Sequence, residues 1–91
     1  MARYIIERTF SDGLNFPTGT EGRKTAAQVG ATNATEGVHW VHSYVSDDDR
    51  MTFCVYDAPS PEAVRKVAER NGLPVDRITE VHVLDPHLYG N

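Results

Sequence analysis

The sequence predicts an α+β fold: a ferredoxin-like β-α-β-β-α-β two-layer sandwich, with two helices on one face of a four-stranded antiparallel sheet. Three observations lead to it. Four short runs rich in β-branched and aromatic residues alternate with period two, as half-buried strands do. Helix start and stop signals fall in the gaps after the first and third of these runs. The second and third runs are joined by a short polar turn, which makes them a hairpin. The 91 residues read as one domain, 1–91, and a chain of this length buries only roughly 60–65% of its unfolded-state surface.

Arg3 to Phe10 is the first strand, with Tyr4, Ile6, Arg8 and Phe10 on one face and Ile5, Glu7 and Thr9 on the other. Ser11 to Gly19 holds two glycines, an asparagine and Pro17, the composition of a loop. Thr18 and Glu21 fit a capping box that opens a helix over about Thr20 to Glu36. Its apolar positions Ala26, Val29, Gly30 and Ala34 are small, which suits close packing on a sheet, and Gly37 supplies a left-handed stop. Val38 to Ser46 is the second strand. Simple alternation puts Trp40, His42 and Tyr44 on one face, and His39, Val41, Ser43 and Val45 on the other. Ser46 to Arg50 is a polar turn, and Met51 to Asp57 is the third strand, with Met51, Phe53 and Val55 opposed to Thr52, Cys54 and Tyr56.

Ser60-Pro61-Glu62 starts the second helix with an N-cap, a proline at the first helical position and an acid in the first turn. Ala63, Val64, Val67 and Ala68 form its buried stripe, Arg65 and Glu69 are spaced to pair, and Asn71-Gly72 closes it. Ile78 to Leu84 is the last strand, stopped by Asp85-Pro86.

The most apolar sets are expected under the helices: Phe53 and Val55, Val41 and Val45, Val81 and Val83, with Tyr4 and Ile6. The open face then collects Glu7, Trp40, His42, Tyr44, Cys54, Tyr56, Glu80 and His82. Imidazole, thiolate and carboxylate together suit a late transition metal such as nickel, zinc, copper or cobalt, whereas calcium and magnesium ask for oxygen ligands. Glu7, His42, Cys54 and His82 are the candidate metal ligands. Trp40, Tyr44 and Tyr56 are candidate pocket or interface residues. Against this stand plainer readings: Cys54 as a small buried hydrophobe, His82 at the sheet edge, Trp40 and Tyr44 as dimer-interface core, and His39 and His87 as solvated side chains. Asp47, Asp48 and Asp49 lack the ligand spacing of a calcium loop.

Nine Lys and Arg stand against thirteen Asp and Glu, a net charge of −4, which disfavours nucleic acid as a partner. No stretch has the length and apolarity of a membrane span, and the N-terminus lacks a signal-type apolar run, so the chain reads as cytoplasmic. Its one cysteine, Cys54, has no intrachain partner. No C-x-x-C, H-E-x-x-H, phosphate-binding glycine loop or G-x-S-x-G motif occurs.

The blocks Tyr4–Leu14, Val38–Asp48, Phe53–Ala63 and Asn71–Val81 together resemble a small bacterial, actinobacterial family of nickel-binding proteins that is also described as a domain of unknown function. The likeness covers nearly the whole chain and includes Glu7, Trp40, His42, Tyr44, Cys54 and Tyr56; the first helix and the tail after Pro86 match less closely. It implies a ferredoxin-like fold, a homodimer in the cytoplasm and nickel as the bound ion; with the donors gathered on the open face, the expected role is metal buffering or sequestration. Two other functions are compatible with the residues. In a dimeric α+β barrel acting as a small-molecule enzyme or ligand-binding module, Trp40, Tyr44 and Tyr56 line a pocket with His42 as general base and Glu7 orienting it. In a structural dimer the open face carries no chemistry.

Overall fold

The computed structural model describes residues 1–16 and 18–89; Pro17 of the first loop lies outside them. The elements are β1 (Ala2–Thr9), α1 (Gly19–Ala34), β2 (His39–Val45), β3 (Met51–Ala58), α2 (Pro61–Asn71) and β4 (Arg77–Val81), followed by a short 3-10 turn, Pro86–Tyr89. The sheet order is β2-β3-β1-β4, with every neighbouring pair antiparallel. This is the ferredoxin-like α+β arrangement that the order of sequence signals predicts.

The two helices differ in how well their sequences define them. In α2 the Ser60 side chain accepts a hydrogen bond from the Ala63 amide at 3.2 Å, Pro61 occupies the first turn, and Gly72 caps the other end at φ 68°. Ala63, Val64, Val67 and Ala68 are buried. Helix α1 begins after Thr18 without the side-chain cap that Thr18 and Glu21 suggest, and it buries only Gly22 and Asn33. Ala26 and Val29 are half-buried, while Gly30 and Ala34 are exposed. Arg65 and Glu69 form no ion pair; instead Glu36 bridges to Lys66 at 3.5 Å and to Arg70 at 3.2 Å, tying the end of α1 to α2.

Tyr4, Ile6, Val38, Cys54, Tyr56, Ala58, Val64 and Val67 make the core between sheet and helices, with Ile78 and Trp40 packed against it. The sheet is therefore turned over relative to the apolarity ranking on β3. Register decides this: Tyr4 pairs with Tyr56 and Ile6 with Cys54, so the helix-facing side of β1 carries Cys54 and Tyr56 with it. Phe53 and Val55 go to the open face, opposite Glu7 and Ile5. Both sets on β3 are apolar enough to be buried, so alternation alone does not choose between them.

On β2 the ladder is interrupted by a bulge. Trp40 pairs with Tyr56 and His42 with Val55, which leaves Val41 as the extra residue. Beyond it the alternation is shifted by one. Trp40 and Ser43 lie on the helix side, joined by a hydrogen bond from Trp40 Nε1 to Ser43 Oγ at 2.9 Å. His39, His42 and Tyr44 lie on the open side, opposite Asp57, Val55 and Phe53. Strand β4 stops at Val81, so His82, Val83 and Leu84 are exposed chain beyond the sheet rather than strand.

Candidate functional sites on the two faces of the sheet

Three rows cross the open face. His39, Asp57, Arg3 and Val81 form one, His42, Val55, Ile5 and Thr79 the next, and Tyr44, Phe53, Glu7 and Arg77 the third. The middle of the face is apolar and its edges carry the chemistry. The His42 and Tyr44 rings meet edge to face, with centroids 5.1 Å apart and planes at 85°. Tyr44 is 63% exposed, and no helix covers it. Asp57 accepts a forked pair of hydrogen bonds from Arg3, Nε at 2.8 Å and Nη2 at 3.0 Å. That guanidinium holds the Asp57 carboxyl below the usual aspartate range, outweighing partial desolvation, and His39 adds to the effect. Glu7 is half-buried and lies 3.8 Å from Arg77 Nε.

The four candidate ligands are divided by this geometry. Glu7 and His42 share the open face but sit two strands and one row apart, roughly 10 Å across the sheet. Cys54 is on the other side, 8% exposed, its thiol 3.6 Å from Thr52 Oγ1. Its expected place beside Glu7 and His42 is thus corrected: the pairing of Ile6 with Cys54 turns the thiol toward the helices. His82 is exposed beyond the end of β4. Among the described residues no three His, Cys, Asp or Glu side chains converge on one point. The donors of the open face fit nickel in kind, imidazole nitrogen and carboxylate oxygen, but one chain does not supply enough of them at one place.

The pocket expected from Trp40, Tyr44 and Tyr56 with His42 as base and Glu7 beside it is likewise not assembled. Trp40 and Tyr56 face the helices, whereas Tyr44, His42 and Glu7 face away. What the helix side holds instead is a cleft of about 530 Å³ between α1 and the sheet. Phe10, Leu14, Val29, Trp40 and Leu73 give it apolar walls, and Arg8, Thr52, Cys54 and Tyr56 reach it from the sheet. It exists because the facing side chains are short: Thr25 and Val29 on the helix, Ser43, Thr52 and Cys54 below. The first loop is tied over one end by Phe10 N–H to Arg50 O at 2.7 Å and Leu14 N–H to Asp49 O at 2.6 Å. Arg8 is the residue that sequence reasoning passed over. Its signal was present, since it is in phase with Tyr4 and Ile6.

A protein-family model for nickel responsive proteins of the SCO4226-like type matches residues 4–81. The chain belongs to the SCO4226-like family. A crystal structure of SCO4226 from Streptomyces coelicolor A3(2) is similar to it over 92% of this chain and 100% of that one, with a TM-score of 0.72 and 25% sequence identity. No curated protein matches. The SCO4226-like match spans both helices and all four strands, and so includes the open-face residues Glu7, His39, His42 and Asp57 together with the cleft residues Arg8, Trp40, Cys54 and Tyr56. No described helix of this SCO4226-like chain is long and apolar enough to cross a membrane.

Proposed function

We propose that this protein is a cytoplasmic nickel-binding homodimer that buffers or sequesters the ion at the open face of its sheet. The observation that carries the reading is His42: an exposed imidazole, beside the apolar middle of the open face formed by Ile5, Phe53 and Val55, in a chain of a nickel-responsive family. Neutral imidazole suits Ni²⁺, and carboxylate completes a borderline donor set. Glu7 supplies a carboxylate on the same face, and exposed His82 is the further candidate from the chain end of the sheet. Because one copy offers too few donors at any point, the full coordination sphere draws on a second copy. An apolar sheet face without a helical cover is the surface that such a dimer would bury. Cys54 has no part in this site.

Nickel titration calorimetry on tag-free protein tests the reading, with His42→Ala and Cys54→Ser in parallel and the oligomeric state followed by sedimentation. His42→Ala is expected to weaken nickel binding about tenfold or more, and Cys54→Ser to leave it unchanged. Affinity should fall on acidification, since ligation needs the neutral ring, and on dilution below the dimer's dissociation constant. Nickel binding indifferent to His42→Ala, or absent altogether, would overturn the proposal.

A further inference from the structure

Arg8 is 1% exposed, the largest fully buried side chain among the described residues. It lies on β1 at the floor of the cleft under α1. Nη1 donates to the Pro74 carbonyl at 2.7 Å and Nη2 to the Tyr56 hydroxyl at 3.2 Å, while the Nε–H has no acceptor. The guanidinium carbon stands 5.8 Å from the centre of the Tyr56 ring. All of these partners are neutral. Burial pushes the Tyr56 phenol above its ordinary pKa, although Arg8 opposes the shift, so the phenol supplies no counter-charge. The ion pairs among the described residues use Arg3, Lys66, Arg70 and Arg77, not Arg8.

A guanidinium stays protonated in proteins, and an uncompensated buried charge is strongly unfavourable unless something of opposite sign comes to it. Here the charge borders a cleft whose size lies within the usual range for small-molecule sites and whose walls are mostly apolar, with a few polar groups at one end. Thr52 and Ser43 bring hydroxyls to the same floor. No carboxylate among the described residues stands at ion-pair distance from the Arg8 guanidinium.

We infer that the cleft between α1 and the sheet is a binding site for a small organic acid, one carboxylate on an aliphatic or aromatic body of about ten non-hydrogen atoms, with Arg8 as the anion-recognising residue. The carboxylate lies at the Arg8 end, and the body lies against Trp40, Val29, Leu14 and Leu73. Ion-pair recognition of this kind selects acids over their amides. The site is separate from the open face, on the opposite side of the sheet, and does not depend on nickel.

Trp40 is the only tryptophan of the chain and lines the cleft, so its emission reports occupancy directly. Metal-free protein in chelator is titrated with octanoate and 3-phenylpropanoate, and with octanamide and 3-phenylpropanamide as size-matched neutral probes. The acids are expected to change Trp40 emission saturably and to raise Tm, with at least about tenfold preference over the amides. Arg8→Met should remove that preference. Val29→Phe, which fills the cleft from the helix and leaves Arg8 in place, should abolish binding of acids and amides alike, so the inference stays open to refutation if Arg8→Met does not fold. Equal response to acid and amide in the unmutated protein, no response to any of the four, or acid binding undisturbed by Val29→Phe would each overturn it.

Discussion

Trp40 and His42 are two residues apart on one strand, yet their side chains lie on opposite sides of the sheet. In regular β structure they would share a face. The extra residue Val41 separates them, and the Trp40–Ser43 hydrogen bond closes over the bulge on the helix side. Indole and imidazole thereby serve two surfaces: one lines the cleft, the other stands free on the open face.

Deleting Val41 makes Trp40 and His42 consecutive on β2, matching their consecutive partners Tyr56 and Val55, so plain alternation then keeps indole and imidazole on opposite sides of the sheet. The deletion is expected to preserve both the buried environment of Trp40, read from its emission, and the nickel affinity contributed by His42. Loss of either, from a red-shifted emission or weaker nickel binding in folded protein, would mean that the bulge itself is needed to hold the β2–β3 pairing.

Cys54 is nearly inaccessible and its sulfur is engaged with Thr52 Oγ1. A thiol so little exposed reacts slowly until the structure opens. Modification by a thiol-specific disulfide reagent should be slow in native buffer and fast in denaturant, and nickel should not slow the native rate through direct ligation. Rapid native labelling that nickel blocks would return Cys54 to the metal site.

The ends of α2 are separate contributors to stability. Ser60→Ala removes the side-chain acceptor for the Ala63 amide, and Gly72→Ala places a Cβ on a residue at φ 68°. Each change is expected to cost about 1 kcal/mol in denaturant unfolding. The positions are about 18 Å apart along the helix, so the double variant should show close to the sum.

Acid should weaken the fold through two aspartates, half-buried Asp57 and exposed Asp48. The Arg3 guanidinium depresses the Asp57 pKa, and the Ser46 hydroxyl with the Arg50 amide depresses that of Asp48 in the hairpin turn. A carboxyl with a lowered folded-state pKa contributes stability above its unfolded value, roughly pH 4, and loses it as pH falls through the folded value. Chemical denaturation between pH 6 and pH 2 should show stability declining below about pH 4, with a shallower decline in Asp57→Asn. An unchanged slope in that variant would remove Asp57 from the acid response.

The fold was legible because its punctuation is local. Ser60-Pro61-Glu62, Asn71-Gly72 and the polar turn at Ser46–Arg50 mark boundaries whatever the core does, and β1 shows its inward phase through Tyr4 and Ile6. The two faces were harder to read, for two physical reasons. On β3 the sets Met51, Phe53, Val55 and Thr52, Cys54, Tyr56 are both suited to burial, and only pairing with β1 distinguishes them. On β2 a one-residue bulge inverts everything after it, and no glycine or proline announces it. Together these errors moved Trp40, Cys54 and Tyr56 to the wrong side and brought thiol and imidazole into a cluster that the chain does not form. Arg8 shares the inward phase of Tyr4 and Ile6, but the pattern of β1 alone does not show that its partners, Pro74 and Tyr56, are neutral.

The same bulge bears on how copies of the chain can meet. β2 and β4 are the outer strands, the two places where another backbone could add on. The first has its hydrogen-bonding row broken at Val41, and the second is five residues long, Arg77–Val81, with charged Arg77 and Glu80 within it. Irregular, short and charged borders are poor templates for continued pairing. The chain is thereby guarded against edge-to-edge growth into ribbons and fibrils.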